Sequence, residues 1–222
     1  MISSPLPLFP LGLVLLPGAV VPLHIFETRY RAMLGDVAAG TQCFGLIALP
    51  DGVAEADLPS GRIGCIARVT AVDTMADGRT NIVIVGEARF RFETYLDAGT
   101  PYRMGHVGSY DDATDDPQKL APAAAALREL AGRAIRASMT IHDVASEAPV
   151  LEADDAALSF QVAHLLNLGD AARYELLTER SPLARVRLLD GPLRAGLDAL
   201  QSGAELHTRA KTNGHHHGPP PA

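Results

Sequence analysis

Lysine is nearly missing from this chain. Lys119 and Lys211 are its only two lysines, and the other 17 basic residues are arginine. Neither lysine follows a glycine, so there is no GxxxxGK[ST] loop to cradle the phosphates of a nucleotide. Lys119 follows an acidic run and Lys211 lies near the end of the sequence. Neither is placed as a buried general base beside a serine. Cysteine is equally scarce. Cys43 and Cys65 sit in separate apolar runs and no CxxC occurs, so no zinc or dithiol motif is signalled and two buried free thiols are expected. GxSxG and HExxH are both absent, which removes the nucleophile elbow and the zincin helix as routes to hydrolysis. Long uninterrupted apolar runs are missing too. Pro17 and Pro22 break the first one, and no basic region precedes it, so a signal peptide or a spanning helix is not expected and a cytoplasmic location is. Finally, there is no cationic excess. Net charge is −7; the chain through Asp112 carries 8 Arg/Lys against 12 Asp/Glu, and the remainder 11 against 14. That balance disfavours a general nucleic-acid or anionic-membrane surface.

What is present is a globular composition, 222 residues at 47% hydrophobic and 20% charged, enough for one large domain or two small ones. The most densely patterned stretch is residues 6–34, LPLFPLGLVLLPGAVVPLHIFETRYRAML. Its prolines rule out a long helix, because each removes an amide donor and crowds the preceding turn; short extended pieces at a sheet edge accommodate them. Leu16-Pro17-Gly18-Ala19 has proline and glycine where a type II turn requires them. After Pro22 the period changes: Tyr30, Met33, Leu34 and Val37 recur at helical spacing, with Arg29, Arg31 and Asp36 on the other face. One helix is predicted from about Thr28 to Ala39, ended by a left-handed Gly40.

Further on, residues 42–49 form a continuous apolar run of strand length, expected to be buried on both faces. Residues 50–62 read as a polar loop. Residues 63–74 and 81–96 alternate, with Asp77-Gly78 between them as a hairpin turn. In the second of these strands Ala88, Phe90, Phe92 and Thr94 are assigned to the core face, and Arg89, Arg91, Glu93 and Tyr95 to a wet face. Residues 102–110 give a last strand. From the acidic joint at 111–117 the texture becomes helical: 118–138, 154–166, 170–178, and a final helix from Ser181-Pro182 that Gly191-Pro192 should kink or split. The prediction is an α+β chain, with a mostly antiparallel β domain carrying one inserted helix over 1–112, a helical bundle over 113–204, and a disordered tail over 205–222.

The opening stretch resembles the start of the Lon N-terminal domain family, the substrate-binding region of the ATP-dependent protease Lon. The resemblance is carried by Pro7, Leu8, Phe9, Pro10, Leu11, Pro17, Gly18, Pro22, Leu23, Ile25, Phe26, Glu27, Arg29 and Tyr30. It continues through Phe44-Gly45, Gly64-Cys65-Ile66-Ala67 and DGRTNIVIVGEARFRF. It is strong over about residues 5–110 and extends by general pattern through the helices. Thr28 departs from the family, which often has proline there; a proline would suit the same first helical turn. The resemblance implies a PUA-like antiparallel β pseudo-barrel followed by a C-terminal helical bundle. Together with the absent nucleotide-loop and hydrolase motifs, it points to a stand-alone, non-catalytic module without ATPase or protease domains, for which no cofactor or metal is expected. Its partners would be unfolded or hydrophobic polypeptide segments, held in an apolar groove between barrel and bundle for a protease supplied separately. The alternative is a small-molecule- or RNA-binding regulator that uses the barrel.

Each candidate residue has a plainer structural role to set beside a functional one. Glu27, Arg29 and Tyr30 form a recognition cluster or, more simply, a helix start in which Glu27 meets the positive end of the helix dipole, Arg29 pairs locally and Tyr30 packs. Pro10, Pro17, Gly18, Pro22 and Phe26 read mainly as architecture. His24 has no partner at metal-ligand spacing. His142-Asp143, near Ser138 and Ser146, lacks an oxyanion hole. Arg89 and Arg91 read as a solvated strand face, and His215, His216 and His217 as a tract in the tail. No catalytic residue is assigned.

Overall fold

The computed structural model describes residues 5–213, of which 206–213 are described as backbone only. The chain divides into two compact units. One comprises the chain through Thr114 together with Asn167–Ser181; the other comprises Asp115–Leu166 and the chain from Pro182 onward.

The first unit is a mixed sheet with helices. Its strands are β1 (Leu6–Leu11), β2 (Val20–Ile25), β3 (Cys43–Ala48), β4 (Ile63–Thr74), β5 (Thr80–Leu96) and β6 (Arg103–Ser109), with α1 (Thr28–Ala39) between β2 and β3. The order is β2-β5-β4-β3-β1-β6, and β5 also pairs with β6. Every residue of β3 is buried, as its unbroken apolar run requires in a strand covered on both faces. β1 pairs in parallel with β3 through Leu8–Leu11 and antiparallel with β6 through Leu6–Leu8 only. Pro10 therefore sits where β1 has a single neighbour, which is where a strand tolerates a missing amide. The core gathers Leu6, Leu8, Ile47, Ile66, Phe90, Phe92 and Val107.

The first two strands form as expected but do not pair with one another. Residues 12–19 carry the chain across the sheet, and the Pro17-Gly18 turn is fixed to β5. Ala19 N–H donates to Leu16 O at 3.0 Å, with Gly18 at φ 78°. Gly18 N–H donates to Gly86 O at 2.8 Å, and Gly86 N–H to Ala19 O at 2.9 Å. Gly86 permits this seating, since a Cβ there would strike the Leu16 carbonyl. The Asp77-Gly78 hairpin forms, with Met75 N–H donating to Arg79 O at 2.8 Å. Several local expectations are corrected: Ala88 and Thr94, assigned to the core face, are both exposed. Gly40 is not left-handed (φ −122°); the left-handed residue is Gln42 (φ 58°). Arg89 is not on a wet face: it is 5% exposed, and α4 (Asp170–Thr178) covers it.

That helix is itself a correction, because α4 belongs with the sheet and not with the other helices. Arg89 Nη1 donates to the carbonyls of Leu177 (2.8 Å) and Glu179 (2.7 Å), and its Nη2 meets Asp112. Tyr110 Oη donates to Thr178 O at 2.7 Å, and Ile63 N–H to Tyr174 Oη at 3.3 Å. The buried arginine thus satisfies carbonyls that α4 leaves open at its C-terminus.

The second unit holds α2 (Pro117–Ile141), α3 (Leu158–Ala163) and α5 (Pro182–Asn213). α2 packs along α5, and α3 packs against both. Asp116 caps α2 by accepting from Gln118 N–H at 3.0 Å. α3 is shorter than the predicted 154–166. α5 is not split at Gly191-Pro192, and it continues to Asn213, past the expected start of a tail at 205. Its buried stripe Val186, Leu189, Leu193 and Leu197 runs through the proline, so packing on α2 offsets the roughly 3 kcal/mol that an interior proline costs a helix. Arg185, fully buried, donates to Ser159 Oγ at 2.9 Å and Ala156 O at 2.8 Å. No helix among the described residues is long and apolar enough to cross a membrane.

Candidate functional site

Glu27, Arg29 and Tyr30 come together, but around a residue the sequence did not flag. Glu27 is the N-cap of α1 by backbone geometry and makes no side-chain cap bond. Its carboxylate instead accepts from Arg29 Nε at 2.9 Å. Arg29 grips Glu55 with both terminal nitrogens, at 2.5 and 2.9 Å, and Tyr30 Oη donates to Glu55 Oε1 at 3.1 Å. The Tyr30 ring lies 4.0 Å from that of Phe9. Burial, then the Glu55 charge, push the Tyr30 phenol far above its usual range; the hydrogen bond to Glu55 likewise raises the Arg29 guanidinium. Glu55 begins a short 3-10 turn (Glu55–Asp57) in the 50–62 loop, and its carbonyl accepts from Tyr95 Oη at 2.5 Å. The cluster ties this loop to α1 and the sheet. Arg29 is consumed by two carboxylates, which leaves little to offer a partner. Glu55 is 26 residues from Arg29, and no spacing in the sequence links them.

The other named residues are spread out. Pro22 and His24 lie on the solvent side of β2, and Phe26, just past its end, is 61% exposed. His24 Nδ1 meets Asn81 Oδ1 at 2.7 Å, and its ring stacks on Phe26 at 6.2 Å. His142 ends α2 through its backbone, with N–H donating to Ser138 O at 3.1 Å. Arg91 is exposed on β5. His215, His216 and His217 lie outside the described residues. Both cysteines are free and buried. Burial pushes the Cys65 thiol up to about 12 and raises that of Cys43, which disfavours the reactive thiolate in both.

A cleft of about 530 Å³ lies within the first unit, between α1 and β4. Leu34, Val37 and Ala38 line it from the helix, and Val69, Val72 and Thr74 from the strand; Arg31 is the one charged residue among the described residues that line it. Its position follows from strand lengths. β3 pairs with β4 only as far as Cys43 opposite Arg68, whereas β4 and β5 run on together to Thr74 opposite Thr80. β4 therefore overhangs its neighbour, and Thr70–Thr74 are all exposed. Val72 is 57% exposed and Met75 38%. The signal was present in the sequence, in two long alternating runs beside one short apolar run, but strand order was needed to read it. A second groove, of about 790 Å³, is crossed by the Arg68–Glu87 ion pair and lined by Asp111; its polar groups are largely spent on each other.

Comparison with known proteins gives a consistent picture. The model of the family described as the ATP-dependent protease La (LON) substrate-binding domain matches residues 5–190. The chain is 26% identical over 121 residues to the Lon protease of Cytophaga hutchinsonii, an alignment covering 52% of this chain and 14% of that protein. Among solved structures, it superimposes on a Lon N-terminal domain protein from Xanthomonas campestris with a TM-score of 0.59 at 28% identity, covering 84% of this chain and 97% of that one. The N-terminal domain of the Mycobacterium avium complex Lon protease gives a TM-score of 0.64 at 20% identity, with 86% and 98% covered. The latter supports the fold alone.

Proposed function

The chain belongs to the LON substrate-binding domain family, and from that premise we propose that it is a non-catalytic module that captures unfolded or hydrophobic polypeptide segments in the cleft between α1 and β4. The observation that carries this reading is the cleft itself: open, walled by aliphatic side chains on both sides, and with no acidic residue among the described residues that line it. Burying apolar client surface there contributes roughly 25 cal/mol per Å², and a folded protein, with its apolar residues inside, has little to offer it. In this reading the mixed sheet is a PUA-like pseudo-barrel, the three-helix unit is a helical bundle, and a separately supplied protease in the cytoplasm receives the client. The family residues Pro10, Pro17, Gly18, Pro22, Phe26, Glu27, Arg29 and Tyr30 serve as the frame that sets α1 over β4.

The test is capture of a destabilised model protein compared with its folded parent. Retention of the unfolded form alone is expected, and Ala38→Glu, which places a charge in the cleft at an exposed helical position, should abolish it. Equal retention of both forms, or of neither, overturns the proposal.

A further inference from the structure

The overhang of β4 bears on how a client would be held. In an antiparallel pair, directly opposed residues alternate between those bonded to each other and those whose N–H and C=O point outward. Met75 N–H donates to Arg79 O, and these two residues continue the register of Thr74 opposite Thr80. Met75, Asp73 and Ala71 therefore bond to β5. The backbone groups of Val72 and Thr74 face the other way, toward the cleft edge. The last bond on that side is Val69 N–H to Gln42 O at 2.9 Å; beyond it, no strand among the described residues pairs with β4. A register shift between Val69 and Ala71 marks where the free edge begins. Native sheets usually blunt such an edge. Here it borders an apolar cleft whose only charge is Arg31, exposed and without an ion pair among the described residues, in a chain of net charge −7.

Resting on the polypeptide-capture reading, we propose that the client segment binds as an added β-strand on Val72–Thr74. It would be an extended stretch with apolar side chains at alternate positions entering the cleft, and an Asp or Glu side chain meeting Arg31. Main-chain hydrogen bonds supply affinity for any extended chain, while the cleft and Arg31 select side chains of one parity. Such a site would take extended polypeptide without a fixed motif.

The probe is a short fluorescent peptide in which leucine and valine alternate with serine around one glutamate. Two variants of it are needed, one N-methylated at alternate backbone amides and one with glutamine for glutamate. On the protein, Val72→Pro removes the outward N–H while sparing the bonds to β5, and proline is tolerated at such edge positions. Binding of the parent peptide should weaken about tenfold or more on N-methylation and equally in Val72→Pro. The glutamine peptide and Arg31→Gln should each weaken it about threefold, without adding. Amide exchange at Val72 and Thr74 should slow when the parent peptide binds. If peptide and unfolded client both bind but N-methylation has no effect, strand addition is wrong and the capture reading stands. If neither binds, both fall. Self-association that Val72→Pro abolishes, with no peptide binding, would assign the edge to a second copy of the chain and overturn the proposal. Should Val72→Pro fail to fold, the N-methylated peptide on the unmodified protein decides.

Discussion

Arg29 marks the family and is engaged by its own neighbours. Its guanidinium is held by Glu27 and, through two bonds, by Glu55, with Tyr30 closing the arrangement. A charge-assisted bond of this kind contributes about 1.5–3 kcal/mol, and removing one partner strands the other. Glu55→Gln should therefore lower stability by about 1–3 kcal/mol in urea denaturation and leave client capture unchanged. Loss of capture at unaltered stability would instead make the cluster part of the binding surface. Sequence spacing showed Arg29 and Tyr30 entering a helix together; it could not show Glu55, because a loop residue's partner depends on how the 50–62 segment returns over the sheet.

At the scale of elements, α4 was predicted with the right bounds and the wrong neighbours. Its sequence reads as a short helix, and Leu176 and Leu177 are the residues it buries. Nothing local states which surface buries them. The answer lies in Arg89, whose place in an alternating strand suggested solvent. It is buried because α4 ends above it and lends two carbonyls. Arg89→Met keeps the stem's volume and removes the donors. It should cost about 3 kcal/mol and raise hydrogen exchange across Asp170–Thr178 before the sheet amides respond. Uniform exchange in all elements would argue against this clasp. α5 teaches the converse: a local breaker, Pro192, is overridden by a stripe of leucines that packing rewards on both sides of it.

For the molecule as a whole, three phenols link alkaline pH to stability. Burial is the leading cause in each of Tyr30, Tyr95 and Tyr102; it carries Tyr102 up to about 12, helped by its bond to Asp36. A group whose folded value is raised binds its proton more tightly when folded, so its contribution is full below the unfolded value near 10 and fades as pH climbs toward the folded one. Stability should fall between about pH 10 and 12; Tyr102→Phe should flatten part of that slope in melts followed across pH. The sequence by itself determined most of the elements, the α+β class and the family, because these follow from periodicity, turn chemistry and a long run of characteristic residues that local physics makes legible. Only the tertiary structure decided that Glu55 completes the Arg29 cluster, that Arg89 is a buried clasp, and that β4 outruns β3 to leave an open edge beside α1. Each of these depends on which strands become neighbours and how far they overlap, and that is set by packing between segments far apart in the chain. Residues 6–34 carry the densest part of the family resemblance; the open edge beside α1 is an overhang that no single stretch of sequence contains.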